Sequence, residues 1–342
     1  MVSVILCTFN GERFLGEAID SVLAQSFRNF ELIIVDDNGA VNNHATQRIL
    51  QGYDDPRIVS ITNVENIGYA ASLNKGIAIA KGSYIGIQEH DDVSLPSRLD
   101  RQVKYLESHP ETAFVSSSAI VINELGEEEG VRAEYSDDID LKWLVLWGQP
   151  VLHSIVMFRR SAFDAVGHYS EDPAHVYSPD VEMIARILRC HRGANIAEPL
   201  FKWRRHSRTM SLRHESQQSA QGLSLVRRNI EAIAGEENLP SNLWNGLKIF
   251  LLSQPSDRID LSAAELTHVI SFLQRLEARF HSHYTFSKRE VSVHRSRLYW
   301  KWARHCLTLS YRSNGNRGPL SRATALTLSA KLAKDALSSR LS

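Results

Sequence analysis

The chain has 342 residues, 43% hydrophobic and 23% charged, with 39 Lys/Arg against 39 Asp/Glu, which excludes a disordered or fibrous class. The charge is unevenly placed: residues 1–200 carry 16 basic and 29 acidic side chains, and residues 201–342 carry 23 and 10, so an anionic partner is expected at the C-terminal part. Cys7, Cys190 and Cys306 are odd in number and far apart, which argues against a disulfide framework or a zinc site and for a reducing compartment.

A strand pattern begins at Val2, leaving no room for a signal peptide, and no apolar run approaches the ~18 residues of a membrane span. A cytoplasmic protein is expected. VSVILCTFN (Val2–Asn10) is a continuous apolar run ending in small polar groups, as in a buried parallel strand. Leu15, Ala18, Ile19, Val22 and Leu23 follow at helical spacing. FELIIVDDNG (Phe30–Gly39) repeats the theme, and RIVSIT (Arg57–Thr62) is a third short strand. Asn66 and Gly68 mark the entry to a helix over Tyr69–Ala80, which closes at Gly82. A fourth strand, Gly82–Gln88, runs into Glu89, His90, Asp91 and Asp92, and Pro96 permits a helix over Ser97–Ser108.

Strands alternating with helices predict an α/β doubly wound sheet, in which the polar clusters around Thr8, Asp37 and Asp91 share one edge. That edge is a nucleotide site by position. Neither GxGxxG nor GxxxxGK[ST] is present, which argues against a dinucleotide fold and excludes a P-loop. Carboxylates cannot bind phosphate directly, so acidic residues at that edge ask for a hard divalent cation between protein and diphosphate. Asp37 is left to accept from a base or ribose.

Further strands and helices are expected at Ala113–Asn123, Ser178–Leu188 and Asn195–Ser211. The acidic stretch Asn123–Asp138 reads as a solvated hairpin or loop. Trp143 and Trp147 either floor a sugar site or pack in the core. Asp180 sits at a helix N-terminus, where the dipole favours a carboxylate, and Glu182 points to another side of that helix.

The stretches VSVILCTFNGERFLGEAIDSVLAQSFRNFELIIVDD and ENIGYAASLNKGIAIAKGSYIGIQEHDDVSLPSRLDRQVKYLESHPE resemble the family 2 glycosyltransferases of the GT-A fold, from Val2 to about Ser211. The resemblance implies a GT-A domain at 1–211, with a nucleotide-sugar half at 1–110 and an acceptor half at 111–211, followed by a helical, basic region at 212–342. It implies that Thr8, Phe9, Asn10 and Glu12 border the nucleotide, that Asp37 contacts uracil or ribose, and that Asn66, Gly68 and Asn74 belong to the same side. Glu89-His90-Asp91 matches the acidic triplet that holds Mn2+ or Mg2+, with Glu89 where the family has Asp. Asp180 matches the second member of an acidic pair, the catalytic base of inverting enzymes, with Pro179 in place of the first. Gly148–Tyr169, with His153 at its start, resembles the family's acceptor-side strand, and Glu182 is placed on the acceptor side as well. Arg204 and Arg205 are candidates for the leaving diphosphate, and His206 for a metal ligand as well.

Beyond Ser211, helices are expected at Gln217–Ala234, Leu243–Leu252, Ser262–Phe280 and Pro319–Leu341, the last with an apolar stripe of Leu326, Ala330, Ala333, Leu337 and Leu341. Ser287–Arg317 interleaves basic residues with Tyr299, Trp300, Trp302 and Tyr311. An anionic membrane surface competes there with dimer packing or attachment to the domain. Nucleic acid shares the signal without support from the acidic half.

The expected function is an inverting, metal-dependent transfer of a sugar from a nucleotide sugar, UDP-linked, to a hydroxyl of a cell-surface glycan. A non-catalytic sugar-nucleotide-binding protein is the alternative. A pyrophosphorylase would need a glycine- and arginine-rich loop where CTFNGERF stands.

Overall fold

The structure, a computed structural model, describes residues 1–39, 44–133, 137–176, 178–206, 215–235, 262–312 and 322–341. Strands β1 (Val2–Thr8) and β2 (Phe30–Asp36) are buried along their whole length, which is what continuous apolar runs require of central parallel strands. They pair in parallel from Val2–Phe30 to Thr8–Asp36. β3 (Ile58–Thr62) joins β2, and β4 (Tyr84–Glu89) joins β1, both parallel. Helices α1 (Glu12–Leu23), α2 (His44–Leu50) and α3 (Tyr69–Ile79) lie between these strands in sequence. Side-chain alternation divides β1 between two cores. Val4 and Leu6 pack with Leu15, Ile19 and Leu99; Ile5 and Cys7 pack with Leu73 and Ile77.

The chain continues through β5 (Val93–Ser94), α4 (Arg98–Ser108), β6 (Thr112–Ile122), β7 (Glu128–Arg132), α5 (Asp138–Leu144), β8 (Met157–Arg159), α6 (Arg160–Val166), α7 (Pro179–Cys190) and β9 (Arg192–Arg204). Among the described residues these strands form one mixed sheet of order β3-β2-β1-β4-β8-β6-β9-β5, with β7 paired to β6. The expected acceptor-side strand over Gly148–Tyr169 is shorter than the sequence suggests. β8 has only three residues because it is wedged antiparallel between β4 and β6. A 3-10 turn, His153–Ile155, precedes it, and α6 follows at once. The acidic stretch forms the β6–β7 hairpin, turned by Asn123, whose side-chain oxygen accepts from the backbone N–H of Leu125 and Glu127.

The chain divides into two compact units, Met1–Val226 and Arg227–Ser342. The division falls inside α8 (Glu215–Ala234), beyond the boundary expected at Ser211. In the second unit, α9 (Ala263–His283) opens with a reciprocal cap between Ser262 and Glu265. It is followed by α10 (Lys288–Arg312) and α11 (Arg322–Leu341). Leu273, Leu276 and Phe280 of α9 are buried, as are Tyr299, Trp302 and Cys306 of α10 and Leu332 and Ala336 of α11.

Two expectations change here. Tyr299 and Trp302 belong to the core of this unit, so they are not available to a membrane surface. On α11 the expected apolar stripe faces outward, with Leu326 and Leu337 40% and 52% exposed. Ser329, Leu332, Ala336 and Ser339 face inward instead, because small residues let α11 approach α10 closely, and the Ser329 hydroxyl donates to the Ala303 carbonyl. No described helix is long and apolar enough to cross a membrane. The helix expected at Leu243–Leu252 lies outside the described residues.

Candidate active site

The C-terminal ends of β1, β2 and β4 meet at one edge because the parallel register sets Thr8 opposite Asp36 and Cys7 opposite Glu89. Beyond β1 the chain turns sharply. Asn10 has φ 53, a left-handed conformation that asparagine tolerates, and its N–H donates to the Asn38 side chain. Gly11 then lets the His90 ring lie against the turn. A Cβ there would come within 2.6 Å of both His90 Cγ and Thr8 Oγ1. Phe9 is exposed beside it. Glu12 opens α1, and its charge contributes to raising the pKa of Asp36, a shift caused first by burial. Thr8 Oγ1 and Asp36 Oδ2 are buried and have no hydrogen-bond partner among the described residues.

Asp37 is buried and structurally engaged. One carboxylate oxygen accepts from Asn63 Nδ2 and the Ile67 N–H, and the other from the Gly68 N–H. Asn66 donates to the Asp37 carbonyl. Gly68, at φ 87, begins α3 from a conformation few other residues adopt. Asp37 therefore shapes the Asn63–Gly68 turn. Of the four or so acceptor positions of a carboxylate, about one remains for a ligand.

At the end of β4 the carboxylates have different tasks. Asp91 Oδ2 lies 2.8 Å from His206 Nε2. Burial pushes Asp91 up, but the His206 hydrogen bond and the nearby His90 and His206 charges outweigh it and hold it below the ordinary range. Asp92 accepts from the Arg204 N–H and is pushed well up by burial and by Asp91. Glu89 accepts from the Tyr69 hydroxyl. Burial, with the charges of Asp91 and Asp180, pushes it up to about 8.

Arg204 was expected to meet the diphosphate, yet it is 2% exposed. Its guanidinium donates to the carbonyls of Asp91 and Asn123 and to Glu17 Oε2 at 2.8, 3.2 and 2.5 Å, and it lies over the Phe14 ring. It braces the turn that carries Asp91. Arg205 is exposed, 3.9 Å from Glu129.

The resemblance implies a divalent cation, and Asp91 and His206 are the residues that would hold one. Asp91 and His206 offer an oxygen and a nitrogen side by side, while no group of three or more His, Cys, Asp or Glu among the described residues could hold an ion alone. That is the donor set of a cation completed by a ligand's phosphates.

Beside these carboxylates, a buried chain of hydrogen bonds joins residues that no sequence pattern connects. Tyr69 OH lies 3.2 Å from His153 Nδ1, and His153 Nε2 lies 2.7 Å from Tyr169 OH. With Tyr69 donating to Glu89, the consistent arrangement has His153 donate through Nδ1 and accept from Tyr169 through Nε2. Burial lowers the His153 pKa against the pull of Asp180. His153 is thus a neutral, structural link.

Asn74 is engaged by the segment that follows α6. Its amide exchanges two 2.9 Å hydrogen bonds with the backbone of Tyr169 and donates to Glu171. Glu182 is likewise engaged, held by Arg186 Nε at 2.9 Å from both carboxylate oxygens. Asp180 differs from both. It stands in the first turn of α7 behind Pro179, half-buried, and its carboxylate has no hydrogen bond among the described residues. Its charge reaches Glu89, His153 and Tyr169. Trp143 is buried against Trp147 and packs in the core.

The model of the glycosyl transferase family 2 matches residues 3–167. EpsE of Bacillus subtilis (strain 168), named as a glycosyltransferase, is 36% identical over 211 residues, which is 60% of this chain and 73% of EpsE. The amylovoran biosynthesis glycosyltransferase AmsE of Erwinia amylovora is 27% identical over 207 residues, 60% of this chain and 76% of AmsE. Among solved structures, S. aureus TarS 1-349 in complex with UDP-GlcNAc has the same fold, with a TM-score of 0.55 at 14% identity over 97% of this chain and 90% of that one. The mannosyltransferase PcManGT of Pyrobaculum calidifontis, in complex with GDP-Man and Mn2+, gives 0.50 at 16% identity over 99% and 86%. The sheet order, the strand-end carboxylates and these relatives together make the chain a member of glycosyl transferase family 2, with a GT-A fold and a glycosyltransferase activity.

Proposed function

We propose that the enzyme inverts configuration, depends on a divalent metal, and moves a sugar from a UDP-sugar to a hydroxyl of a cell-surface glycan. The observation that carries this is Asp180, a carboxylate at a helix N-terminus with no hydrogen bond among the described residues, close enough to the strand-end carboxylates to raise the Glu89 pKa. The nucleotide-sugar complexes of similarly folded TarS and PcManGT support the donor class. The name of AmsE supports a polysaccharide acceptor.

Asp91 and His206 would hold Mn2+ or Mg2+, which when bound neutralises the charge of the leaving diphosphate. The Asp37-shaped turn receives the nucleoside. Asp180 accepts the proton of the acceptor hydroxyl as that oxygen attacks the anomeric carbon opposite the diphosphate. One displacement inverts the stereochemistry. The basic side chains of α10 favour an anionic lipid surface through charge alone, since Tyr299 and Trp302 are buried. Salt-insensitive liposome flotation would count against that part.

Asp180→Asn keeps size and folding, and should lower nucleoside diphosphate release by about two to four orders of magnitude, the range of a lost general base. The assay is a panel of UDP-GlcNAc, UDP-glucose, UDP-galactose and GDP-mannose with Mn2+. Near wild-type turnover by Asp180→Asn would remove the base from this mechanism.

A further inference from the structure

We infer that Asn74, on the helix that starts at the nucleotide turn, is a positioning residue for Asp180; the inference rests on Asp180 being the base. The segment between α6 and α7 presents Asp180 and must hold its place for the carboxylate to meet an acceptor hydroxyl. Asn74 clips that segment near its start, pairing with both the N–H and the C=O of Tyr169 as a neighbouring strand would. Its amide also donates to Glu171 at 2.8 Å.

From there the path to the base is continuous. Ser170 Oγ is 3.0 Å from His175 Nδ1, and the Ser178 N–H donates to the His175 carbonyl at 2.9 Å. Ser178 is the residue before Pro179 and Asp180, and its carbonyl accepts from the Glu182 N–H. Other tethers hold the flanks: Arg186 donates to the His168 carbonyl and Gln221 to that of Pro173. Neither of these reaches Tyr169.

The same helix is fixed at its N-terminus by Asp37, through the Ile67 and Gly68 N–H groups. A helix turn rises about 5.4 Å, so Tyr69 and Asn74 lie little more than one turn apart. The Tyr69–His153–Tyr169 chain gives α3 a second hold on Tyr169. Whatever orders the nucleotide turn is thereby joined, through one rigid helix, to the segment that carries the base. Displacement of a reacting group by about 1 Å costs on the order of 100-fold in rate, so the clip acts on turnover while leaving nucleotide contacts alone.

The test is a double-mutant cycle of Asn74→Ala with Asp180→Asn, on the full chain with the same nucleotide-sugar panel and Mn2+. Asn74→Ala is expected to lower turnover about 10- to 100-fold, with affinity for UDP and GDP unchanged within about twofold. The double variant should lose no more than Asp180→Asn alone, within about threefold, because a misplaced base that is already absent costs nothing further. The isosteric Asn74→Asp keeps the acceptor for Tyr169 N–H but cannot donate to its carbonyl, and should show at least the same loss even if Asn74→Ala folds poorly. Additive losses, a fall in UDP or GDP affinity matching the fall in turnover, or full turnover by Asn74→Asp would overturn the inference. Full turnover by Asp180→Asn would instead overturn the base itself, and the two failures are read from different variants.

Discussion

Arg204→Met tests whether this guanidinium is a brace or a ligand. The substitution keeps an apolar stem of similar length and removes only the charged head. The Asp91 carbonyl then loses its donor, whereas the Asn123 carbonyl keeps the N–H of Gly126. Leaving a buried polar group unpaired costs about 1–3 kcal/mol. The Glu17 pair adds less than about 1 kcal/mol, since its carboxylate is 54% exposed and screened. The contact over Phe14 contributes about 1 kcal/mol. The sum, about 2–5 kcal/mol, corresponds to a fall in melting temperature of roughly 10 °C for a unit of this size. Thermal denaturation followed by circular dichroism measures it, with Glu17→Gln as the control that should move little. A wild-type melting curve combined with a large loss of UDP or GDP affinity would refute the brace and return Arg204 to the diphosphate.

Asp91→Asn should abolish Mn2+-dependent turnover of the nucleotide-sugar panel, whereas Glu89→Gln should reduce it less, because Glu89 already accepts from Tyr69; equal losses would put Glu89 beside Asp91 on the cation. Gly11→Ala forces a methyl into the space of His90 and Thr8 Oγ1 and should destabilise by about 1–3 kcal/mol, as overpacking does; unchanged thermal stability would show that His90 moves aside freely. His294 has its pKa lowered to about 3, first by burial and then by His281, Arg297 and Arg295. The unfolded chain therefore takes up a proton that the folded chain refuses, so stability is full above the ordinary value near 6.5 and falls as pH drops toward 3. The slope is at most about 1.4 kcal/mol per pH unit, and urea midpoints of His294→Leu should be flatter with pH than those of the wild type.

The fold was legible where one strong signal decided the element. β1, β2, β4 and β6 are apolar runs that cannot be exposed, and the polar residue after each marks where the strand leaves the sheet. That placed Thr8, Asp37 and Asp91 on one edge, and the family resemblance placed Asp180 at the start of α7. β5 was missed because two residues make no pattern, and β8 was read too long because its ladder partners decide its length. Side-chain roles were less legible. Arg204, Asn74 and Glu182 are polar residues in the right region, yet each is engaged by a partner that spacing does not encode: Asp91, Asn123 and Glu17 for the first, Tyr169 for the second, and Arg186 for the third. Tyr69 and Tyr169 carried no sequence signal, since tyrosine at a helix start or loop end is ordinary. On α11 the apolar stripe misled because serine and alanine, which score weakly as hydrophobic, are what a close helix contact selects.

The bonds of Arg204 span 81, 113 and 187 residues, and this bears on the order in which the molecule assembles. Contacts between distant residues form only after the intervening chain has been confined. During synthesis the parallel strands β1 to β4 leave the ribosome well before β9, and the N-terminal part of a chain folds first. A nascent chain thus displays Asp91 without the guanidinium that braces its turn and without His206 beside it. The N-terminal part emerges with its parallel strands able to form and the Asp91 turn unbraced, and the brace arrives with β9.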